Sequence, residues 1–255
     1  GVMVGEGEET FLELCESYAK AGIGEMAEKM NLSGIKGIMY RAGESLVKTG
    51  AREPLDLNRI PFCYGGVEDF RNRIIYYESS RGCPFRCSYC LSSVEKTLRF
   101  RDVERVKKEL AFFLEQEVAQ VKFVDRTFNC RHEHAMGIWN FLIEHDNGVT
   151  NFHFEISADL LTDEEIALIG QMRPGLIQLE IGVQSTNDAT ITEIHRTMQL
   201  DRLKAVVRSI QEKENIHEHL DLIAGLPYEG YETFARSFDE IYALKPNQLQ
   251  LGFLK

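Results

Sequence analysis

The chain has 255 residues, 44% of them hydrophobic and 27% charged, with a formal net charge of -11 and a pI near 5.2. These are the values of an ordinary soluble globular protein, and the acidic balance argues against non-specific binding to nucleic acid or anionic lipid, leaving room only for a local basic channel. No apolar run approaches the ~20 residues of a membrane helix, and no export signal opens the chain, so a cytoplasmic location is expected. In chain order, Val2-Met3-Val4 and Gly5-Glu6-Gly7-Glu8 read as a strand end and a turn into a helix over Glu8–Met30. Its apolar residues Phe11, Leu14, Cys15, Tyr18 and Ala19 recur at helical spacing. Glu6, Glu8 and Glu9 suit the helix N-terminus and would repel a phosphate at the Gly-x-Gly turn. Ile35–Tyr40 and Ser45–Lys48 flank a glycine turn as a hairpin, and the two prolines of Pro54–Pro61 mark an extended linker. A domain boundary falls between residues 52 and 70.

From Arg73 onward the texture changes to alternation. Short apolar runs at Ile74–Glu78, Val121–Asp125, Phe152–Ser157, Ile177–Gly182, Leu220–Ala224 and Leu249–Phe253 predict six strands. Amphipathic segments at Asp102–Glu117, Glu133–His145, Asp163–Met172, Leu200–Glu214 and Tyr231–Leu244 predict the helices between them. Such a series implies βαβ units and a parallel sheet. The fold class is α/β: an open, partial (β/α)6 TIM-like barrel, with a doubly wound sheet as the alternative. Either places ligands at the C-terminal ends of the strands. Trp139 and Phe141 fall on a barrel helix and are expected to pack.

Of six cysteines, Cys83, Cys87 and Cys90 crowd into one loop with the spacing C-x3-C-x2-C, directly after the first barrel strand. Three thiolates in one loop can wrap a single cubane cluster and leave one iron open to a small molecule. Arg81 and Arg86 are expected to favour the thiolates. A structural zinc site needs a fourth ligand, and Cys63 and Cys130 lie far off in sequence. A redox Cys87/Cys90 pair would leave Cys83 over.

The loop Cys83-Pro84-Phe85-Arg86-Cys87-Ser88-Tyr89-Cys90 resembles the CxxxCxΦC signature of radical S-adenosylmethionine (SAM) enzymes, with Tyr89 at the aromatic position. The resemblance runs from about Arg73 to Lys255. It implies a 4Fe–4S cluster on Cys83, Cys87 and Cys90, whose open iron is chelated by SAM and whose electron yields a 5′-deoxyadenosyl radical. It further implies SAM-contacting positions at strand ends: Asp125, Glu155, then Gly182 with Gln184 or Ser185 in the ribose-motif region. Arg196 matches a carboxylate-binding arginine, and Gly225 and Pro227 an adenine-binding turn. Around Asp125 the sequence departs from the family's Gly-Gly-Glu turn and looks like the Asp-x-x-Phe version of cobalamin-dependent members. His195, beside Arg196, is the histidine to watch, although the seven histidines form no obvious ligand set.

Residues 1–66 resemble the tail of the Rossmann-like cobalamin-binding module that precedes the barrel in such relatives, and residues 67–255 the radical SAM core. The cobalamin motif Asp-x-His-x-x-Gly is not in the sequence; His134–Gly137 has its tail but follows His132 in place of aspartate. The chain therefore reads as a fragment, with cobalamin expected only in the full-length protein. The implied reaction is methylation, rearrangement or cyclisation of an unidentified substrate, with an external electron donor of flavodoxin or ferredoxin type. Methylthiolation would need a second cluster, for which Cys15, Cys63 and Cys130 are a poor set. A non-catalytic iron–sulfur or zinc-binding interaction module is the alternative from another class.

Overall fold

The computed structural model describes residues 1–21, 31–66, 69–70, 72–94 and 97–254. They fall into two compact units, Gly1–Pro61 and Phe62–Lys255. In the first, β1 (Val2–Met3), β2 (Ile38–Ala42) and β3 (Ser45–Lys48) form an antiparallel sheet, with α1 (Glu8–Ala21) after β1. The hairpin turns at Gly43 with φ +61°, where only glycine is unstrained. Its first arm starts at Ile38, not Ile35. The rest of the predicted helix, residues 22–30, lies outside the described residues.

The predicted apolar face of α1 is not buried: Phe11 is 60% exposed, and Cys15 and Tyr18 are exposed. What holds this helix is polar. Arg52 Nε donates to Thr10 Oγ1 at 2.7 Å and pairs with Glu13 at 2.6 Å. The buried Thr10 hydroxyl donates in turn to the Lys36 carbonyl at 3.1 Å.

The second unit opens with β4 (Ile74–Tyr77) and a short antiparallel ribbon, β5 (Ser80–Arg81) with β6 (Arg99–Phe100), that closes the cysteine loop. Next come α2 (Val103–Glu115), β7 (Gln120–Phe123), α3 (His132–Glu144), β8 (Asn151–Ile156) and α4 (Asp163–Ile169). The series ends with β9 (Ile177–Gln184), α5 (Asp188–Glu193), α6 (Leu200–Gln211), β10 (His217–Ala224), α7 (Tyr231–Tyr242) and β11 (Gln248–Phe253). The six long strands form one parallel sheet in the order β4-β7-β8-β9-β10-β11. Sheet order equals chain order. A doubly wound sheet reverses at a switch point, whereas right-handed crossovers that never reverse put every helix on one face. The architecture is the partial (β/α)6 barrel.

Period-two alternation assigns the two faces. Val121 and Phe123, Phe152 and Phe154, Leu179 and Ile181, and Leu220 and Leu222 are buried in the core under the helices. The helices meet them with residues at helical spacing: Val106, Leu110 and Phe113 on α2, and Ala135, Ile138, Trp139 and Leu142 on α3. Phe154 is central, with ring centroids 4.5 Å from Phe123 and 4.3 Å from Phe128. Trp139 is buried, as expected, and Phe141 stacks on His145 at 4.2 Å. The opposite face carries Lys122, His153, Glu155, Glu180, Gly182, His219 and Asp221. Among the described residues no helix is long and apolar enough to cross a membrane.

Phe154→Ala leaves a ring-sized void between sheet and helix layer. It is expected to lower unfolding stability by about 3–5 kcal/mol, read as a fall in the urea midpoint. A loss under about 1 kcal/mol would show that this aromatic stack does not hold the layers together.

Candidate functional site

Cys83, Cys87 and Cys90 line one cavity of about 240 Å³ at the C-terminal ends of the strands, and all three thiols are free. The loop is shaped by local bonds. The Cys90 N–H reaches the Cys87 carbonyl at 3.1 Å, and the Ser93 hydroxyl caps the Cys90 carbonyl at 2.7 Å. The Ser88 N–H anchors the loop to the Ile194 carbonyl at 2.9 Å. Gly82 takes φ +99°, and a Cβ there would meet the Thr97 carbonyl oxygen at 2.6 Å. Glycine is therefore required where the loop leaves β5.

The loop is rooted by a buried network. Asp125 accepts from the Ser79 N–H at 2.8 Å and from the Ser79 and Ser80 hydroxyls at 2.6 Å each. His134 Nε2 lies 2.9 Å from Ser79 Oγ. Burial lowers the His134 pKa to about 4, so its ring is neutral. Because the Ser79 hydroxyl donates to Asp125, Nε2 must carry the proton, and the chain runs His134 to Ser79 to Asp125. Burial pushes the Asp125 carboxyl up to about 6 against these hydrogen bonds.

The rest of the cavity comes from β8, β9, β10 and the turn after α5. One guanidinium nitrogen of Arg196 donates to the Gly182 carbonyl, and another lies 3.9 Å from Cys87 Sγ. Gln184 ends β9 at φ +74°, a left-handed conformation costly for a residue with a side chain. Its Oε1 is buried without a hydrogen-bond partner among the described residues, as is Arg196 Nε. A Cβ on Gly182 would run into the Gln184 amide, so glycine keeps this wall open. Glu155 makes no hydrogen bond or ion pair among the described residues; burial and then Glu180 raise its carboxyl to about 7. Glu180 is held down near about 2, first by its contact with His153 and then by Lys122. Tyr89 packs beside the thiols, its phenol pushed up to about 12 mainly by burial.

The donor set fits a three-thiolate cluster. A fourth thiol, Cys130, sits near Cys83 but off the cavity wall, and burial raises it to about 11, keeping it neutral. The family model that matches residues 77–241 is that of the radical SAM superfamily. The chain belongs to this superfamily. Over 93% of its length it is 24% identical to the anaerobic magnesium-protoporphyrin IX monomethyl ester cyclase of Rubrivivax gelatinosus, covering 43% of that protein. It is 27% identical over 90% of its length to the cobalamin-dependent radical SAM methyltransferase TokK of Streptomyces tokunonensis, covering 35% of it. The radical SAM methyltransferase TsrM of Kitasatospora setae, solved with cobalamin and a [4Fe-4S] cluster, superimposes with a TM-score of 0.78 at 16% identity. That match covers 98% of this chain and 52% of TsrM. The chain thus spans about half or less of these relatives. Radical SAM family membership implies a 4Fe–4S cluster and SAM as cofactors, and sets the non-catalytic module aside.

Of the positions expected to meet SAM, the structure brings Tyr89, Glu155, Gly182, Gln184 and Arg196 onto the cysteine-lined cavity. It does not bring Asp125, Ser185, Gly225 or Pro227 there. Asp125 is wholly buried behind the loop and its acceptor capacity is taken by Ser79 and Ser80. Ser185 is also buried: its hydroxyl donates to Glu229 at 2.5 Å and accepts from the Asn187 N–H at 3.0 Å, closing the turn before α5. Gly225 (φ +92°) and Pro227 form an exposed turn braced by the Thr190 hydroxyl, which donates to the Pro227 carbonyl at 2.8 Å. Arg81 does not serve the thiols; it is paired with Glu78 at 2.7 Å. Arg86 and His195 are exposed. Arg196 supplies the cation beside Cys87. Missed in sequence were Asp221, which lines the cavity, and Lys122, His153 and His219 on the same polar strand face; their signal was polar residues alternating with core residues along the strands.

An acid whose pKa is raised on folding binds its proton more tightly in the folded state. The contribution of Asp125 is therefore full below about 3.8 and is lost as pH rises through about 6. The stability of the wild type minus that of Asp125→Asn should fall by roughly 3 kcal/mol between those pH values. A pH-independent difference in chemical-denaturation series would show that burial does not govern this carboxyl.

Proposed function

We propose that this chain is the SAM-cleaving core of a larger radical SAM enzyme that methylates or rearranges its substrate. The observation that carries the reading is the convergence of three free thiols with Arg196, Gln184 and Glu155 on one cavity. Cys83, Cys87 and Cys90 would hold the cluster, and a cluster with SAM on its open iron supplies a 5′-deoxyadenosyl radical on one-electron reduction. Arg196 places its positive charge beside Cys87, where it would offset the negative charge of a bound cluster. Gln184 Oε1, buried and partnerless, offers an acceptor to an amine or ribose hydroxyl of SAM. Glu155, with its proton held to about pH 7, offers a carboxylate that an ammonium group would draw into its charged form. Three ligands with an open side also differ from a structural zinc site, which is closed by four.

The likeness to TokK favours methylation, and that to the Rubrivivax cyclase favours ring formation. In this reading residues 1–66 are the C-terminal part of a cobalamin-binding-type domain, and residues 67–255 the radical SAM core. The cobalamin motif is not in the sequence, so cobalamin would be held by other parts of the full-length protein. A flavodoxin- or ferredoxin-type protein would supply the electron, in the reducing cytoplasm where such a cluster survives.

Anaerobic reconstitution is expected to give about four irons per chain with a broad visible absorption, and reduction with SAM should release 5′-deoxyadenosine. Cys87→Ala should lose the iron while keeping its far-ultraviolet circular dichroism. Gln184→Ala should retain iron and weaken SAM binding roughly 3- to 10-fold, the worth of one hydrogen bond. Full iron in Cys87→Ala, or colourless protein that takes up only zinc, would overturn the assignment.

A further inference from the structure

We infer that the polar face of strands β8 to β10, which reaches the cavity through Glu180, binds a divalent first-row transition-metal ion, separate from the thiol loop, through His153, Glu180 and His219. The three residues stand on the adjacent strands β8, β9 and β10, and register sets Glu180 directly across from His219. One potential ligand atom from each lies within 4.8 Å of the other two. Metal–nitrogen bonds of about 2.0–2.1 Å would set tetrahedral ligand atoms roughly 3.4 Å apart, so side-chain shifts of about an ångström close the site.

Three features point to a cation rather than to a self-satisfied polar layer. Both imidazoles are more than nine-tenths buried, and the Nε2 of each has no hydrogen-bond partner. His153 Nε2 is 2.9 Å from Glu180 Oε2, and His219 Nε2 is 3.1 Å from Asp221 Oδ1, but neither contact is aligned as a hydrogen bond. Buried ring nitrogens without an aligned partner are unfavourable, and one shared ion would engage both. The donor chemistry is also selective. Two imidazoles and a carboxylate suit zinc or iron(II), whereas calcium and magnesium call for oxygen ligands.

Asp221 Oδ1 lacks a hydrogen-bond partner as well and is the nearest further ligand. Glu180 and Asp221 both line the cavity, so the open coordination position faces the same space as the thiols. Lys122 is the competitor: its ammonium lies 2.9 Å from Glu180 Oε2 and neutralises that oxygen in the metal-free protein. Binding must displace it, which makes removal of this charge a gain-of-affinity test. The site does not depend on the SAM reading, and its test needs no enzymatic activity.

The test uses the full chain carrying Cys83→Ser, Cys87→Ser and Cys90→Ser, purified metal-free and dialysed against Zn²⁺ and, separately, Co²⁺. The inference expects about one zinc per chain, and cobalt bands in the visible without thiolate charge transfer. His153→Ala and His219→Ala should each weaken zinc binding by at least about tenfold. Lys122→Met should tighten it, an outcome that a merely misfolded variant cannot give. Zinc well below one per chain in the triple-serine background, or binding unchanged in His153→Ala, His219→Ala and Lys122→Met, overturns it.

Discussion

The arrangement depends on one constraint: each central strand must satisfy two unlike faces. A parallel sheet covered on both sides reads as continuous apolar runs, but β7 to β10 alternate. Phe152 and Phe154 go under the helices while His153 and Glu155 go to the other side, and β9 and β10 repeat the pattern with Leu179/Ile181 against Glu180/Gly182 and Leu220/Leu222 against His219/Asp221. Charged side chains on a concave face cannot be closed over by other apolar residues without a large desolvation cost. The polar face therefore stays a cavity and does not collapse into a core. Stability comes from the helix side, and chemistry is left to the other.

The cysteine loop meets a second requirement, that a segment with little packing of its own be held in one shape. Only Cys87 of the three thiols is buried. Rigidity is imported from behind, through Asp125 just past the second strand and His134 on the following helix, both gripping Ser79. From the front, Arg196 ties Cys87 to the backbone of Gly182. The loop is thereby fixed to the first, second and fourth strands of the sheet, which sets the three sulfurs in a constant relation to the residues across the cavity.

How far the sequence reveals this follows from the range of each interaction. The six strands and the thiol spacing are local patterns, and they were legible. Parallel order in the sheet followed from crossover handedness, which is also nearly local. What was not legible were the partners chosen at long range. Asp125 reads equally as a ligand or as a turn acid; only three-dimensional proximity to Ser79 and Ser80, 45 residues or more away in sequence, makes it a brace. Arg81 lies next to the thiols in sequence, yet its guanidinium pairs with the Glu78 carboxylate three residues back. Arg196, more than a hundred residues from Cys87, is the cation that the structure sets beside a thiol. The helix α1 fails in the other direction: its periodicity is real, but an apolar stripe predicts burial only where something covers it, and the described residues supply ion pairs instead.

Charge completes the account of why two carboxylates on neighbouring strands differ. Glu155 and Glu180 are paired in register across β8 and β9 and share one environment. Lys122 and His153 both point at Glu180, which is fixed as an anion near about 2, while Glu155 is left to burial and to its neighbour's field and rises to about 7. Like charges set this close divide their titrations rather than share them. The divided pair gives the cavity wall one permanent anion and, beside it on the next strand, one group able to take up or release a proton near neutrality. An ammonium group in the cavity would draw the adjustable carboxylate into its charged form, because the fixed one is already engaged by His153 and Lys122.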